Sequence, residues 1–167
     1  MRIPLPSKPC FPFNQLGIWL SRAAAITAAF LLAPTVCSAG VEYAVNSGGG
    51  DASPFVADAY FSGGGTFSSG STIHKSGVTD PAPQSVYQSE RWGASTYTFL
   101  GLISGTDYLV RLHFAETYHS TTGKRQFHVS LNGTQVLTNY DIVSEAGGNN
   151  IAIVEEFTVA ANPSGQI

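Results

Sequence analysis

Glu116, Tyr118 and His119 stand almost side by side in the run Glu116-Thr117-Tyr118-His119, and Glu90-Arg91-Trp92 makes a second acid–aromatic pairing. A flat ring offers a stacking face, while carboxylate and imidazole supply hydrogen-bond acceptors and donors. Together such groups hold a ligand that is apolar on its faces and polar at its rim. Trp92 and Tyr118 are the candidate platforms; Glu116, His119 and Glu90 are the candidate polar partners. Arg91 is expected to pair with Glu116 or another acid and to steady the loop, and Tyr87 to sit in the core or wall the site.

Other chemistries find less support in these residues. Glu90 and Glu116 could be the two acids that flank a glycosidic bond, but spacing along the chain does not test their separation. His113, Glu116 and His119 are a possible transition-metal set. On a strand, however, His113 and Glu116 point to opposite faces and do not converge. Asp141, Glu145 and Asn149 carry oxygen ligands suited to Ca²⁺, in a spacing better explained as solvated loop acids. The triplets Gly48-Gly49-Gly50 and Gly63-Gly64-Gly65 lack the lysine and helix of a phosphate-cradling loop. Asn132-Gly133-Thr134 fits the glycosylation sequon, and its role as a hairpin turn accounts for it. No cofactor is called for.

The elements that must position these side chains are strands. Tyr108, Val110, Leu112 and Phe114 alternate with Leu109, Arg111 and His113. This period of two marks a half-buried strand that ends at the candidate loop. Further strands are expected over Val41–Asn46, Tyr97–Leu102, Arg125–Leu131, Gln135–Thr138 and Ile151–Ala160. Asn132-Gly133 turns one pair into a hairpin. Residues 47–85 read as one long irregular loop, ordered by Phe55, Tyr60, Phe61 and Phe67. No segment reads as a helix. Short strands punctuated by turns predict an all-β fold, an antiparallel β-sandwich.

Residues 1–39 stand apart from this pattern. Arg2, Lys8 and Arg22 precede the apolar run Ala23–Ala33, and Cys37-Ser38-Ala39 ends it with small residues. This predicts a signal peptide cleaved after Ala39, leaving a domain over 40–167 in a secreted, extracellular or periplasmic setting. Both cysteines, Cys10 and Cys37, belong to the leader, so stability in the domain must come from its core. The formal net charge of −3 becomes more negative once the basic leader is gone. Such a surface excludes nucleic acid and anionic membrane as partners. The turn Asn162-Pro163-Ser164-Gly165 leads to the expectation that a closing strand is missing and an edge is left unpaired.

The chain resembles the malectin domain. The resemblance is carried in order by Ala44-Val45-Asn46-Ser47-Gly48-Gly49, Ala57-Asp58-Ala59-Tyr60-Phe61, Val86-Tyr87-Gln88-Ser89-Glu90-Arg91-Trp92, Tyr108–Glu116, Phe127–Gly133, Asp141-Ile142-Val143 and Glu156-Phe157-Thr158-Val159. It implies a jelly roll of the lectin or carbohydrate-binding-module type that binds glucose-type di- or oligosaccharides without catalysis. A pyranose has an apolar C–H face for stacking and a hydroxyl rim for pairing. By resemblance, Trp92 stands where the animal protein has tyrosine. Tyr118-His119 stands for an aromatic pair, and Tyr60 for the tyrosine of the first long loop. An acidic ligand residue of the family falls beyond Ile167. The expected partner is therefore carbohydrate, with other domains of a longer secreted protein as further partners. A structural or adhesive module that docks proteins is the alternative.

Overall fold

The computed structural model describes residues 43–167, and the leader expected over 1–39 lies outside them. The fold is all-β, an antiparallel β-sandwich. Strand β1 (Val45–Asn46) pairs in parallel with β2 (Val56–Ala57), and β3 (Phe61–Ser68) pairs antiparallel with β4 (Ser89–Tyr97). Strands β6 (Phe127–Leu131) and β7 (Thr134–Tyr140) form a hairpin, and β5 (Asp107–Phe114) pairs antiparallel with β8 (Ile153–Ala160).

The alternation seen in the sequence sets the β5 register. Tyr108, Val110, Leu112 and Phe114 lie opposite Val159, Phe157, Glu155 and Ile153 and share one face with them. The rings of Phe114, Phe127 and Tyr140 then pack at centroid separations of 5.5–5.6 Å. The β6–β7 turn is made by Asn132 at φ 48° and Gly133 at φ 80°, the positive-φ pair that a tight hairpin requires. A second core cluster joins Ile73, Ala82, Val86, Tyr87 and Ala152.

Three expectations are corrected. The stretch 47–85 is not one loop, because it contains β2 and β3. Gly63-Gly64-Gly65 hides β3 from a propensity reading, since glycine is a poor strand former. Two short helices exist, α1 (Gln84–Tyr87) and α2 (Ile142–Ala146). They are too short for a periodic signal to emerge, although the Asp141 cap on Ser144 N at 3.2 Å was readable in principle. The strand expected over 97–102 lies earlier, as β4.

One titratable contact in the core ties β5 to α1. The Tyr87 hydroxyl lies 2.9 Å from His113 Nδ1, and both Tyr87 and Phe55 meet the imidazole edge-on. Burial, reinforced by Arg111, holds the imidazole below its usual pKa, while Asp80 and Glu156 act in the opposite sense. The unfolded chain therefore binds a proton at His113 at a pH where the native state does not. Stability from this site is complete above the unfolded value of about 6.5 and is lost as pH falls towards the lower native value. Urea midpoints taken from neutral pH downwards should fall more steeply for the native sequence than for His113→Gln; parallel slopes would contradict this assignment.

Candidate functional site

The floor of the site is the β3–β4 ladder. Its register sets Gly65 opposite Trp92 and Phe67 opposite Glu90, which brings these four positions to one face. A Cβ on Gly65 would sit 2.8 Å from Trp92 Cε2 and Cζ2. The indole therefore lies across the β3 backbone, seated where no side chain rises. Trp92 is 56% exposed. Phe67 meets Tyr118 edge-on at 5.6 Å, and Tyr118 meets His119 edge-on at 4.9 Å. Tyr118 is 68% exposed. Phe67, Tyr118 and His119 thus form a contiguous run of rings, and Trp92 stands over Gly65 on the ladder face that Phe67 shares; together they make up the ribbon.

Beneath the ribbon lies Glu116, only 1% exposed. Its Oε1 accepts from the backbone N–H groups of Tyr118 at 2.8 Å and His119 at 3.0 Å. Its Oε2 lies 2.9 Å from Arg125 Nε, and Arg125 Nη1 bonds to Glu90 Oε2. Glu116 thus holds the ring-bearing loop from below, and Glu90 and Arg125 are the partly exposed polar groups beside the rings. The far end of the loop is fastened by Asp141, whose Oδ2 accepts from Gly123 N. That hydrogen bond holds the Asp141 carboxyl below its usual range.

The sequence candidates divide accordingly. Glu116, Tyr118 and His119 come together, and Trp92 shares a ladder face with Phe67, whose ring meets Tyr118. Tyr60 does not join them: it stands at the other end of β3 at φ 64°, with its ring against Tyr43 at 5.2 Å and Phe99 at 6.0 Å. Arg91 points to the other face. Its guanidinium binds Asp58 Oδ2 at 2.6 and 3.0 Å and covers the Phe61 ring at 3.4 Å, so Asp58, not Glu116, is its acid. Asp58 also accepts from Gly48 N and Tyr97 Oη, which ties the turn after β1 to β4. Sequence reasoning missed Phe67 and Arg125. For Phe67 the available signal was its alternation with Gly65 once β3 is seen as a strand.

Known proteins align with this chain. A family model described as the malectin domain matches residues 41–164. Human malectin is 33% identical over 70 residues, which cover 41% of this chain and 24% of that protein. A probable receptor-like protein kinase of Arabidopsis thaliana is 39% identical over 51 residues, 30% of this chain and 6% of the kinase. The chain thus spans at most about a quarter of the curated relatives it matches. Among solved structures, the ANX2 ectodomain of Arabidopsis thaliana superposes with TM-score 0.65 at 21% identity over 74% of this chain and 42% of that one. The plant peptide RALF23 complex with FER and LLG2 contains a chain matched at TM-score 0.63 and 27% identity, over 74% of this chain and 40% of its own.

The Glu116–Arg125 pair gives a direct test of the site's construction. Arg125→Met leaves a buried carboxylate without its cation and should cost about 3 kcal/mol in urea unfolding. Glu116→Gln added to Arg125→Met removes the stranded charge, so the double variant should be more stable than Arg125→Met alone. A double variant that loses the sum of both single costs would contradict the pairing.

Proposed function

The chain belongs to the malectin-domain family, and on that premise we propose that it is a non-catalytic module binding glucose-type di- or oligosaccharides along the Trp92–Phe67–Tyr118 ribbon. The malectin domain is a carbohydrate-binding type of fold. The observation that carries the reading is the seat of Trp92 over Gly65, which fixes an indole with one face against backbone and leaves the other to solvent. A pyranose stacked there meets Tyr118 along the ribbon, while Glu90, Arg125 and His119 supply acceptors and donors for its hydroxyls. Glu116 acts as a positioning residue, because its carboxylate is spent on Arg125 and the loop backbone. An extracellular setting is part of the proposal, supported by the ectodomains that share the fold.

A second reading, docking of a polypeptide, draws on the neighbour solved with the plant peptide RALF23. Trp19 and Trp92 are the two tryptophans of the chain, so Trp19→Phe leaves the site as sole emitter. Titration of that variant with maltose, nigerose, cellobiose and xylo-oligosaccharides should give a saturable emission change with a glucose-type sugar. Calorimetry should show Trp92→Ala weakening that sugar by about tenfold or more, a loss of about 1.4 kcal/mol. A packed domain that responds to none of these sugars would sink the glycan reading and favour polypeptide docking.

A further inference from the structure

We propose that Arg91 is a positioning residue for the ligand site: braced by Asp58, its guanidinium pins the glycine bulge that seats Trp92. Its effect on sugar affinity rests on the glycan reading above; its effect on the indole does not. The β3–β4 register shifts between Gly63–Ser95 and Gly65–Trp92, so Gly64 alone stands against Gly93 and Ala94. Gly63, Gly64 and Gly93 sit at φ 76°, 70° and 82°. A bulge of this kind re-aims the side chains beside it, and the next pair of the ladder carries the platform.

Three glycines in a row are the backbone with the most freedom to lose on folding. Arg91 holds them. Its Nη1 donates to Gly63 O at 2.9 Å and to Gly64 O at 3.2 Å. Its Nε and Nη2 donate to Asp58 Oδ2 at 3.0 and 2.6 Å. Asp58 is itself fixed, accepting from Gly48 N at 2.7 Å and from Tyr97 Oη at 2.8 Å. The Arg91 side chain is 7% exposed and that of Asp58 10%, so water competes little for these bonds. A Cβ on Gly64 would sit 2.8 Å from Arg91 Cγ, and one on Gly65 would sit 2.8 Å from the indole. Adjacent glycines of β3 thus seat adjacent side chains of β4, one on each face of the ladder. Clamp and platform share one short piece of backbone.

The planar fork is what the clamp requires. A guanidinium presents five N–H donors in fixed directions, enough for a carboxylate on one side and two carbonyls on the other. A lysine ammonium keeps the charge beside Asp58 but is a point donor and does not hold that planar set. Arg91→Lys therefore leaves the ion pair in place and the bulge loose. A seat correctly formed about a tenth of the time lowers sugar affinity about tenfold.

Relaxation of the ¹⁵N-labelled Trp92 indole N–H, in the full chain carrying Trp19→Phe, tests this. The order parameter there should match the rigid-backbone value of about 0.85, and adding Arg91→Lys should bring it below about 0.6. The amides of Gly63, Gly64 and Gly65 should loosen with it, and affinity for a glucose-type sugar should fall about tenfold. Val129→Ala, a truncation on β6 away from the bulge, should lower the urea midpoint and leave the indole rigid. A folded Arg91→Lys chain whose indole stays rigid, or whose sugar affinity is unchanged, would overturn the proposal and leave the ion pair a role in stability alone. Should Arg91→Lys not fold, the Trp19→Phe chain decides: rigid glycine amides with a slowly exchanging Arg91 Nε–H support the clamp, and mobile glycines or a freely exchanging Nε–H overturn it. A loosened indole in a chain that answers no sugar would uphold the positioning role and remove only the glycan reading.

Discussion

The buried Glu116 carboxylate is the constraint on which the site depends. A charge withdrawn from water costs several kcal/mol unless it is paired and hydrogen-bonded. Glu116 meets that demand through Arg125 on one oxygen and two backbone N–H groups on the other. Those two N–H groups belong to Tyr118 and His119, so satisfying the charge also fixes the rings. Arg125 in turn bonds to Glu90 on β4, and Asp141 at the head of α2 takes the N–H of Gly123. One carboxylate just after β5 thereby joins the β3–β4 floor, the ring-bearing loop and the approach to β6.

The floor has a different origin. A glycine opposite Trp92 leaves a flat step on which the indole rests, and Phe67, opposite Glu90, lies on the same face. Arg91, one residue before Trp92, faces the other way and is spent on Asp58 and the Phe61 ring. Alternation along one strand thus separates a stacking face from an ion-paired, load-carrying face. Glycans suit the first because stacking and a few fixed polar groups suffice, and no reacting centre need be assembled.

Much of this was legible in residues that act locally. The period of two in Tyr108–Phe114 and the Asn132-Gly133 turn declare themselves within a few positions, and the structure places them as read; in the Glu116-Thr117-Tyr118-His119 run Tyr118 is exposed, whereas Glu116, expected to meet the ligand, is buried against Arg125 and the loop backbone. What stayed hidden depends on partners far along the chain. Gly63-Gly64-Gly65 looks like a loop until β4 is seen to pair with it, with a register shift between Gly63 and Gly65. Tyr60 entered the candidate set only through the resemblance, as the tyrosine of the first long loop. The fold instead sets it at positive φ against Tyr43. Arg125 gave no local sign that it would reach both Glu90 and Glu116, and Arg91 none that its acid would be Asp58 rather than Glu116.

The most direct test is to map a bound sugar residue by residue. In ¹H–¹⁵N spectra of the labelled protein, maltose or nigerose should shift the Trp92 indole N–H and the amides of Phe67, Tyr118 and His119 together, and leave Tyr43, Tyr60 and Phe99 unmoved. Shifts gathered instead around Tyr60 and Phe99, with the Trp92 indole silent, would contradict the placement of the site on the β3–β4 floor.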